Sequence, residues 1–498
     1  MLTRLKVDGF KNLDGVDVRF GPFTCVAGAN GVGKSNLFDA IAFLSALANT
    51  PLMEAAKEVR GGDARHGDVA SLFRRVGNQT TKSMNFLVEF LIPEEGEDAL
   101  GQPAKASMTF LRYELGLRYR ADASVRSIGT LEVVHESMVH INRSLAKQNL
   151  PFPHEKIWRD SVVKGRRSSA YISTEKEGDF SVVSLHADSI GGRGGGRPRR
   201  VHASSLPRTM LSSVNNAAEH RTLVLAKQEM TGWTRLQLEP SALRAPDSFN
   251  APRTIGSDGA HLPATLYALA QAAERVEKGG AIDVYAQVAN RLSELVENVR
   301  RVTVDVDEKR QLLSIVMTDR HNTEHVASVL SDGTLRFLAL TVMEADPRNR
   351  GLLCLEEPEN GMHPLRIPAV IRLLGDLAVD VELPVDADNP LRQVIINTHS
   401  PSVVACVDDS ALLVARAVPI ICDTQEESRL AIRCLPRTWR KLGEDEAVVS
   451  RGDLLSYLNP FAVIEMDVAS GRVGAPTRVL QRKDLQLVMP FLATETKA

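Results

Sequence analysis

Cysteine is scarce in this 498-residue chain. Its five copies, Cys25, Cys354, Cys406, Cys422 and Cys434, are scattered and odd in number. That spacing excludes a disulfide framework and a zinc-ligand set. Cys25 and Cys354 fall inside apolar runs and read as small buried hydrophobes of a reducing compartment. Long apolar runs are missing too: none approaches the roughly 20 residues a membrane-spanning helix needs. Met1 to Val7 enters a strand-like alternation, without the apolar core of a signal peptide. A cytoplasmic location without membrane contact is therefore expected. Net charge is nearly absent, since 60 Lys and Arg against 62 Asp and Glu leave −2. No global signature of a nucleic-acid binder follows from that balance, although a local basic surface stays open. Internal repeats are lacking. Heptads are never sustained long enough for a long coiled-coil arm. What remains is an ordinary composition, 43% hydrophobic and 24% charged, on a chain long enough for roughly two to four domains.

Within this background one stretch carries chemistry. Gly28-Ala29-Asn30-Gly31-Val32-Gly33-Lys34-Ser35 reads G-x-x-x-x-G-K-S, the phosphate-binding loop. Its flanks fit. Thr24 to Ala27 is a short apolar run, predicted as a buried strand. Asn36 to Leu44 carries apolar residues at helical spacing. Strand, glycine loop and helix come in the order the chemistry needs. The glycines let backbone N–H groups curl around phosphate oxygens, and the helix N-terminus adds partial positive charge. Asn30, Gly31, Gly33, Lys34, Ser35 and Asn36 are the candidate nucleotide-binding residues. Lys34 can reach the β- and γ-phosphates, and Ser35 can hold Mg²⁺.

A second cluster lies about 300 residues later. Leu330-Ser331-Asp332-Gly333 is a turn ahead of an apolar helix pattern. Gly351 to Leu355 is a continuous apolar strand ending in Glu356-Glu357. Pro358 to Pro364 makes a turn, and Gln393 to Asn397 is a strand ending in Thr398-His399-Ser400. Two carboxylates at a buried strand's end can divide the work. Glu356 can hold the Mg²⁺ shell, and Glu357 can polarise an attacking water. His399 can donate towards a γ-phosphate. The Ser331-Asp332-Gly333 turn offers a hydroxyl, backbone N–H groups and a helix start to a phosphate.

Taken together these motifs resemble the ABC-type ATPases of the SMC/RecF/OLD group. Gly28 to Ser35 is similar to Walker A, and Leu330 to Arg336 to the signature. Leu352 to Glu357 resembles Walker B, Asn360 to Pro364 the D-loop, and Thr398-His399-Ser400 the switch histidine. Leu5 to Asn12 resembles the group's first strand and turn, which implies Lys11 and Asn12 near the nucleotide. The Glu-Glu-Pro-Glu-Asn-Gly-Met-His-Pro ending is similar to stand-alone bacterial ATPases of the group. Many of those serve anti-phage defence or act beside a nuclease. The resemblance implies an α/β fold: a P-loop ABC-type ATPase head with a β-rich lobe and a mainly helical insertion. It implies ATP and Mg²⁺ as cofactors. It also implies a homodimer closed by ATP, in which Ser331, Asp332 and Gly333 of one chain meet the γ-phosphate held by the other, with any higher oligomer left open.

The expected domains are 1–140, the first half of the head; 141–300, the insertion; 301–410, the second half; and 411–498, a tail. In the insertion, residues 151–210 carry 11 Lys and Arg against 6 Asp and Glu. The Gly/Arg run from Gly191 to Arg200 has no interleaved aromatics. That favours a solvated loop over an arm touching phosphate backbone. No glutamine stands convincingly where the family has its Q-loop; Gln79 is the nearest before a strand. In the tail there is no Asp-x-Asp of the OLD nucleases. Glu444-Asp445-Glu446 reads as a solvated helix start and Glu465-Met466-Asp467 as a solvated strand end. Nuclease activity is therefore not expected from this chain alone. The expected function is an ATPase that senses or clamps DNA and controls a partner effector such as a nuclease. The competing readings are an ATPase regulating a protein partner without DNA, a transporter engine, and an OLD-like endonuclease.

Overall fold

The computed structural model describes residues 1–59, 69–76, 79–121, 129–188, 197–422, 425–441 and 448–450. The chain divides into two units, Met1–Val449 and Ser450–Ala498. Of the second, only Ser450 is among the described residues. Arg193 and both acidic clusters of the tail lie outside them.

The site is built on a six-stranded sheet. Its order is Thr234–Leu236, Gly351–Glu356, Arg392–Thr398, Phe23–Ala27, Leu412–Cys422, Gln425–Cys434. The first five strands are parallel, and the last turns back antiparallel. The middle strands are apolar along nearly their whole length because both faces are covered. Gly351–Glu356 is buried up to its last residue and Arg392–Thr398 throughout. Cys25 and Cys354 are buried in this sheet as free thiols. The register sets Glu356 beside Asn397 and Thr398 beside Ala27. Parallel strands end on one edge, so residues separated by hundreds of positions leave the sheet side by side.

An eight-stranded antiparallel sheet forms the second layer. It runs Arg199–His202, Phe180–Leu185, Ile172–Glu177, Gly129–His140, Phe110–Ala121, Ser83–Leu91, Leu2–Asp8, Val16–Arg19. Residues 144–208, where the sequence pattern degrades, thus contribute three strands. Arg199 and Arg200, part of the expected basic loop, belong to the edge strand. The helix Lys34–Leu47 shares one apolar core with both sheets. Leu37, Phe38, Ile41, Phe43 and Leu44 are buried together with Val26, Cys354 and Ile395 of the first sheet and Phe86 and Val88 of the second. Phe43 stacks on Phe10 at 5.7 Å and meets Phe86 edge-on at 6.0 Å. A helix apolar on most sides is one wrapped on most sides.

Residues 217–293 are mainly helical, with helices Ala217–Thr231, Leu262–Val276 and Gly280–Ser293. The expected hairpin follows as Val299–Asp307 paired antiparallel with Leu312–Asp319. The helix Asp332–Ala345 then begins two residues past Leu330, earlier than the apolar pattern alone suggests, because Ser331 caps it.

Candidate functional site

The phosphate loop follows strand Phe23–Ala27, and its last glycine opens the helix. Gly31 and Gly33 have φ of +80° and +106°, a region that L side chains rarely enter. A Cβ on Gly33 would come within 2.2 Å of the Asn12 amide, and one on Gly28 within 2.5 Å of the Ala415 carbonyl. Asn12 straps the loop from outside. Its amide donates to the Val32 carbonyl at 3.0 Å, and its oxygen accepts from Asn36 at 2.8 Å. Asn30 and Gly31 stand exposed at the crest. Lys34 is buried and donates to the carbonyls of Gly28 and Ala29 at 2.7 and 2.9 Å. Burial holds its ammonium below the ordinary value, against the pull of Glu357, Glu356 and Glu359.

The carboxylates arrive from the neighbouring strand. Ser35 Oγ donates to Glu356 Oε2 at 3.1 Å, although 321 residues separate them. A hydroxyl and a carboxylate oxygen meeting at a helix start are the donor set Mg²⁺ takes beside nucleotide phosphates. The residues present therefore fit that ion. Glu357 has a φ of +46°, which costs a non-glycine residue about 1 kcal/mol. The turn is held by the Glu357 N–H donating to the Asn397 carbonyl at 3.0 Å. Its side chain then lies between two partners. Oε1 is 2.7 Å from His399 Nδ1, and Oε2 accepts from the Asn360 amide at 2.8 Å. Burial pushes this carboxyl up, but Asn360, His399 and Lys34 outweigh it and hold it below the ordinary carboxylate value. Glu359 behaves oppositely: burial raises it, one oxygen accepts from Thr398, and the other has no hydrogen-bond partner among the described residues.

Lys11, also at positive φ, forms an ion pair with Asp39, one helical turn beyond Ser35. Ser331 and Asp332 are exposed. Ser331 Oγ accepts from the Thr334 N–H at 3.2 Å, and Asp332 is 2.5 Å from Arg244. Gly333 packs on Gly361 and Met362, where a Cβ would sit 3.3 Å from each. The structure thus gathers Lys11, Asn12, the phosphate loop, Glu356, Glu357 and His399. Ser331, Asp332 and Gly333 find their partners in Thr334, Arg244 and the 360–362 turn instead.

Gln79 lies in a small hairpin with Arg75–Val76, away from the six-stranded sheet. Three other residues escaped the sequence reading. Gln237 leaves the end of strand Thr234–Leu236, the parallel neighbour of Gly351–Glu356. It lines a cavity of about 330 Å³ together with Glu356, Glu357, Asn360 and Arg336. Arg235, in the same strand, pairs with both Asp39 and Glu356. Asp39 is the third, hidden among the apolar positions of its helix.

A family described as "AAA domain, putative AbiEii toxin, Type IV TA system" matches residues 23–405. No curated protein matches the sequence. Among solved structures the chain is similar to an SMC head bound to the C-winged helix domain of ScpA. That pair shares 13% identity over 88% of this chain and 98% of the other, with a TM-score of 0.42. It is also similar to the SMC head domain from Thermotoga maritima, at 12% identity over 87% and 98%, with a TM-score of 0.35. A third is an Smc head domain with an extended coiled coil bound to the C-terminal domain of ScpA, derived from Pyrococcus furiosus. There the values are 11% identity, 87% and 96% coverage and a TM-score of 0.41. The family match takes in most of the chain, from the strand before the phosphate loop to beyond His399. The protein belongs to this AAA-domain family.

Proposed function

We propose that this chain binds ATP with Mg²⁺ at residues 28–36, hydrolyses it, and closes as an ATP-dependent homodimer that senses DNA and controls a partner effector. One observation carries the reading: Ser35 with Glu356, and Glu357 with His399, meet at the same sheet edge as the glycine loop. Lys34 and the loop N–H groups take the phosphates. Ser35 and Glu356 take the metal, which supplies charge neutralisation when bound. Glu357 is ionised well below neutral pH, so it can accept a water's hydrogen bond once freed from Asn360. His399 orients that carboxylate and faces the terminal phosphate. Gln237, lining the same cavity, fills the role of the Q-loop glutamine. Asn12 and Asn36 keep the loop open, and Lys11 supports it through Asp39.

Ser331 and Asp332 are exposed, which suits contact with a nucleotide held by a second copy. Gripping a γ-phosphate from two sides gives ATP more affinity for the closed state than for the open one. Exposed Arg197, Arg199 and Arg200 along one sheet edge support contact with a phosphate backbone. The family description names a toxin–antitoxin system, and the resemblance to defence-associated ATPases points the same way, towards an effector partner and a role in anti-phage defence. Because the net charge is only −2, regulation by protein contact alone is the second reading.

The test is steady-state ATP hydrolysis with and without double-stranded DNA, against Lys34→Ala as blank. Turnover that Lys34→Ala abolishes and DNA stimulates is expected. Turnover indifferent to DNA favours the second reading, and turnover that survives Lys34→Ala removes the assignment altogether.

A further inference from the structure

Beside the phosphate loop runs a chain of alternating charges: Lys11, Asp39, Arg235, Glu356. Phosphate binding does not need its third member. Arg235 leaves the middle of strand Thr234–Leu236 and divides its guanidinium between two carboxylates. Nη1 is 2.8 Å from Asp39 Oδ1, and Nη2 is 2.6 Å from Glu356 Oε1. The second oxygen of Asp39 pairs with Lys11, and the second oxygen of Glu356 accepts from Ser35. Only about a quarter of the Arg235 and Glu356 side chains is exposed, and less of Asp39. Without the guanidinium, two poorly solvated carboxylates would lie close together with no cation between them.

We propose that Arg235 is a positioning residue that holds the place of a divalent cation. It neutralises Asp39 and Glu356 before nucleotide arrives and turns a single Glu356 oxygen towards Ser35. This rests on the reading that Ser35 and Glu356 hold the metal of Mg²⁺·ATP. Small divalent ions give up water reluctantly and are held by one or two carboxylates plus substrate phosphates. With Arg235 in place, the protein alone presents one free carboxylate lobe beside a fixed positive charge. The metal is then bound only together with the phosphates. The planar guanidinium suits this better than an ammonium, because its fork spans two acceptors at once.

The experiment titrates the nucleotide-free full chain with Mn²⁺, reading free ion by electron paramagnetic resonance. Arg235→Gln and Arg235→Met should each bind Mn²⁺ at least about tenfold more tightly than the wild type, because a fixed positive charge a few ångströms from the ion is removed. Arg235→Lys keeps a cation there and should stay near the wild type. Adding Glu356→Gln to Arg235→Gln should erase the gain. A gain in affinity is not what a merely loosened fold produces. If Arg235→Met fails to fold, as circular dichroism would show, Arg235→Gln still decides, since its amide donates to one carboxylate. Equal Mn²⁺ affinity in wild type and Arg235→Gln overturns the proposal, as does a gain that survives Glu356→Gln. Failure of the wild type to bind Mg²⁺·ATP would instead strike the nucleotide reading, which this titration does not involve.

Discussion

Glu357 shows how much one residue's surroundings decide. Its backbone is left-handed, and its two oxygens are taken by His399 and Asn360. Replacing it by Gln keeps a hydrogen-bonding side chain of the same size but removes the charge proposed to activate water. Hydrolysis by Glu357→Gln should fall about a hundredfold or more, while ATP binding, followed with a fluorescent analogue, persists. Loss of binding along with turnover would reassign the residue to holding the nucleotide. These positions were legible because their chemistry is local in sequence: Lys34 needs its glycines, and Glu356-Glu357 need only a strand to end on. Gln237 and Arg235 were not legible. Their strand is three residues long, Thr234–Leu236, and nothing in Trp233-Thr234-Arg235-Leu236 tells that its neighbour is Gly351–Glu356. Gln79 pairs in the hairpin with Arg75–Val76 instead, because proximity in sequence says nothing about which strand ends at the cavity.

Among the elements, the glycine loop and the opening turn depend on each other. Gly33 has a φ of +106°, and the Asn12 amide fills the space a side chain would need. Gly33→Ala should weaken nucleotide binding by more than about tenfold and lower stability by roughly 1–3 kcal/mol, measured by ligand titration and urea unfolding. An unchanged affinity would mean the loop re-forms without Asn12. A second dependence ties strand Gly129–His140 to the turn at Met210 and Leu211. The fully buried Glu136 accepts from both N–H groups, at 2.6 and 2.9 Å, and from the Tyr113 hydroxyl at 3.1 Å. Burial pushes its carboxyl up to about 7 in spite of these donors. Between the ordinary value and about 7, the folded chain keeps a proton that the unfolded chain has released. Stability therefore falls as pH rises through that window and levels off above it, by about 3 kcal/mol at most. The urea midpoint should drop from about pH 5 to about pH 8, and Glu136→Gln, which cannot titrate, should lose that component. An identical slope in the variant would place the dependence elsewhere.

For the whole molecule, the expectations concern other molecules. If the exposed Ser331 and Asp332 meet a second chain's nucleotide, Glu357→Gln with ATP should elute at twice the monomer mass in light scattering, and Ser331→Arg should abolish that. A strictly monomeric Glu357→Gln would contradict the sandwich. Neutralising Arg197, Arg199 and Arg200 together should weaken DNA binding and flatten its dependence on salt. The logarithmic slope should fall by roughly one for each DNA phosphate that is no longer neutralised. Unchanged affinity would leave that edge strand as architecture only. The near-zero net charge keeps both outcomes informative, since no general attraction to polyanions masks the local effect.

Legible in the sequence alone were the glycine loop between strand and helix, the two carboxylates at a strand's end, the family and the α/β class. Each of these is written in a short run whose residue types admit few other uses. The burial of Cys25 and Cys354 was legible as well. Tertiary packing settled that Ile172–Glu177, Phe180–Leu185 and Arg199–His202 extend the antiparallel sheet. It alone decided that Gln237 shares a cavity with Glu356 and Glu357, and that Asp39, Arg235 and Glu356 form one chain of charges. The reason is the parallel sheet. Its strands come from distant parts of the chain, and the order in which they lie side by side is set by packing on both faces, which no local pattern records.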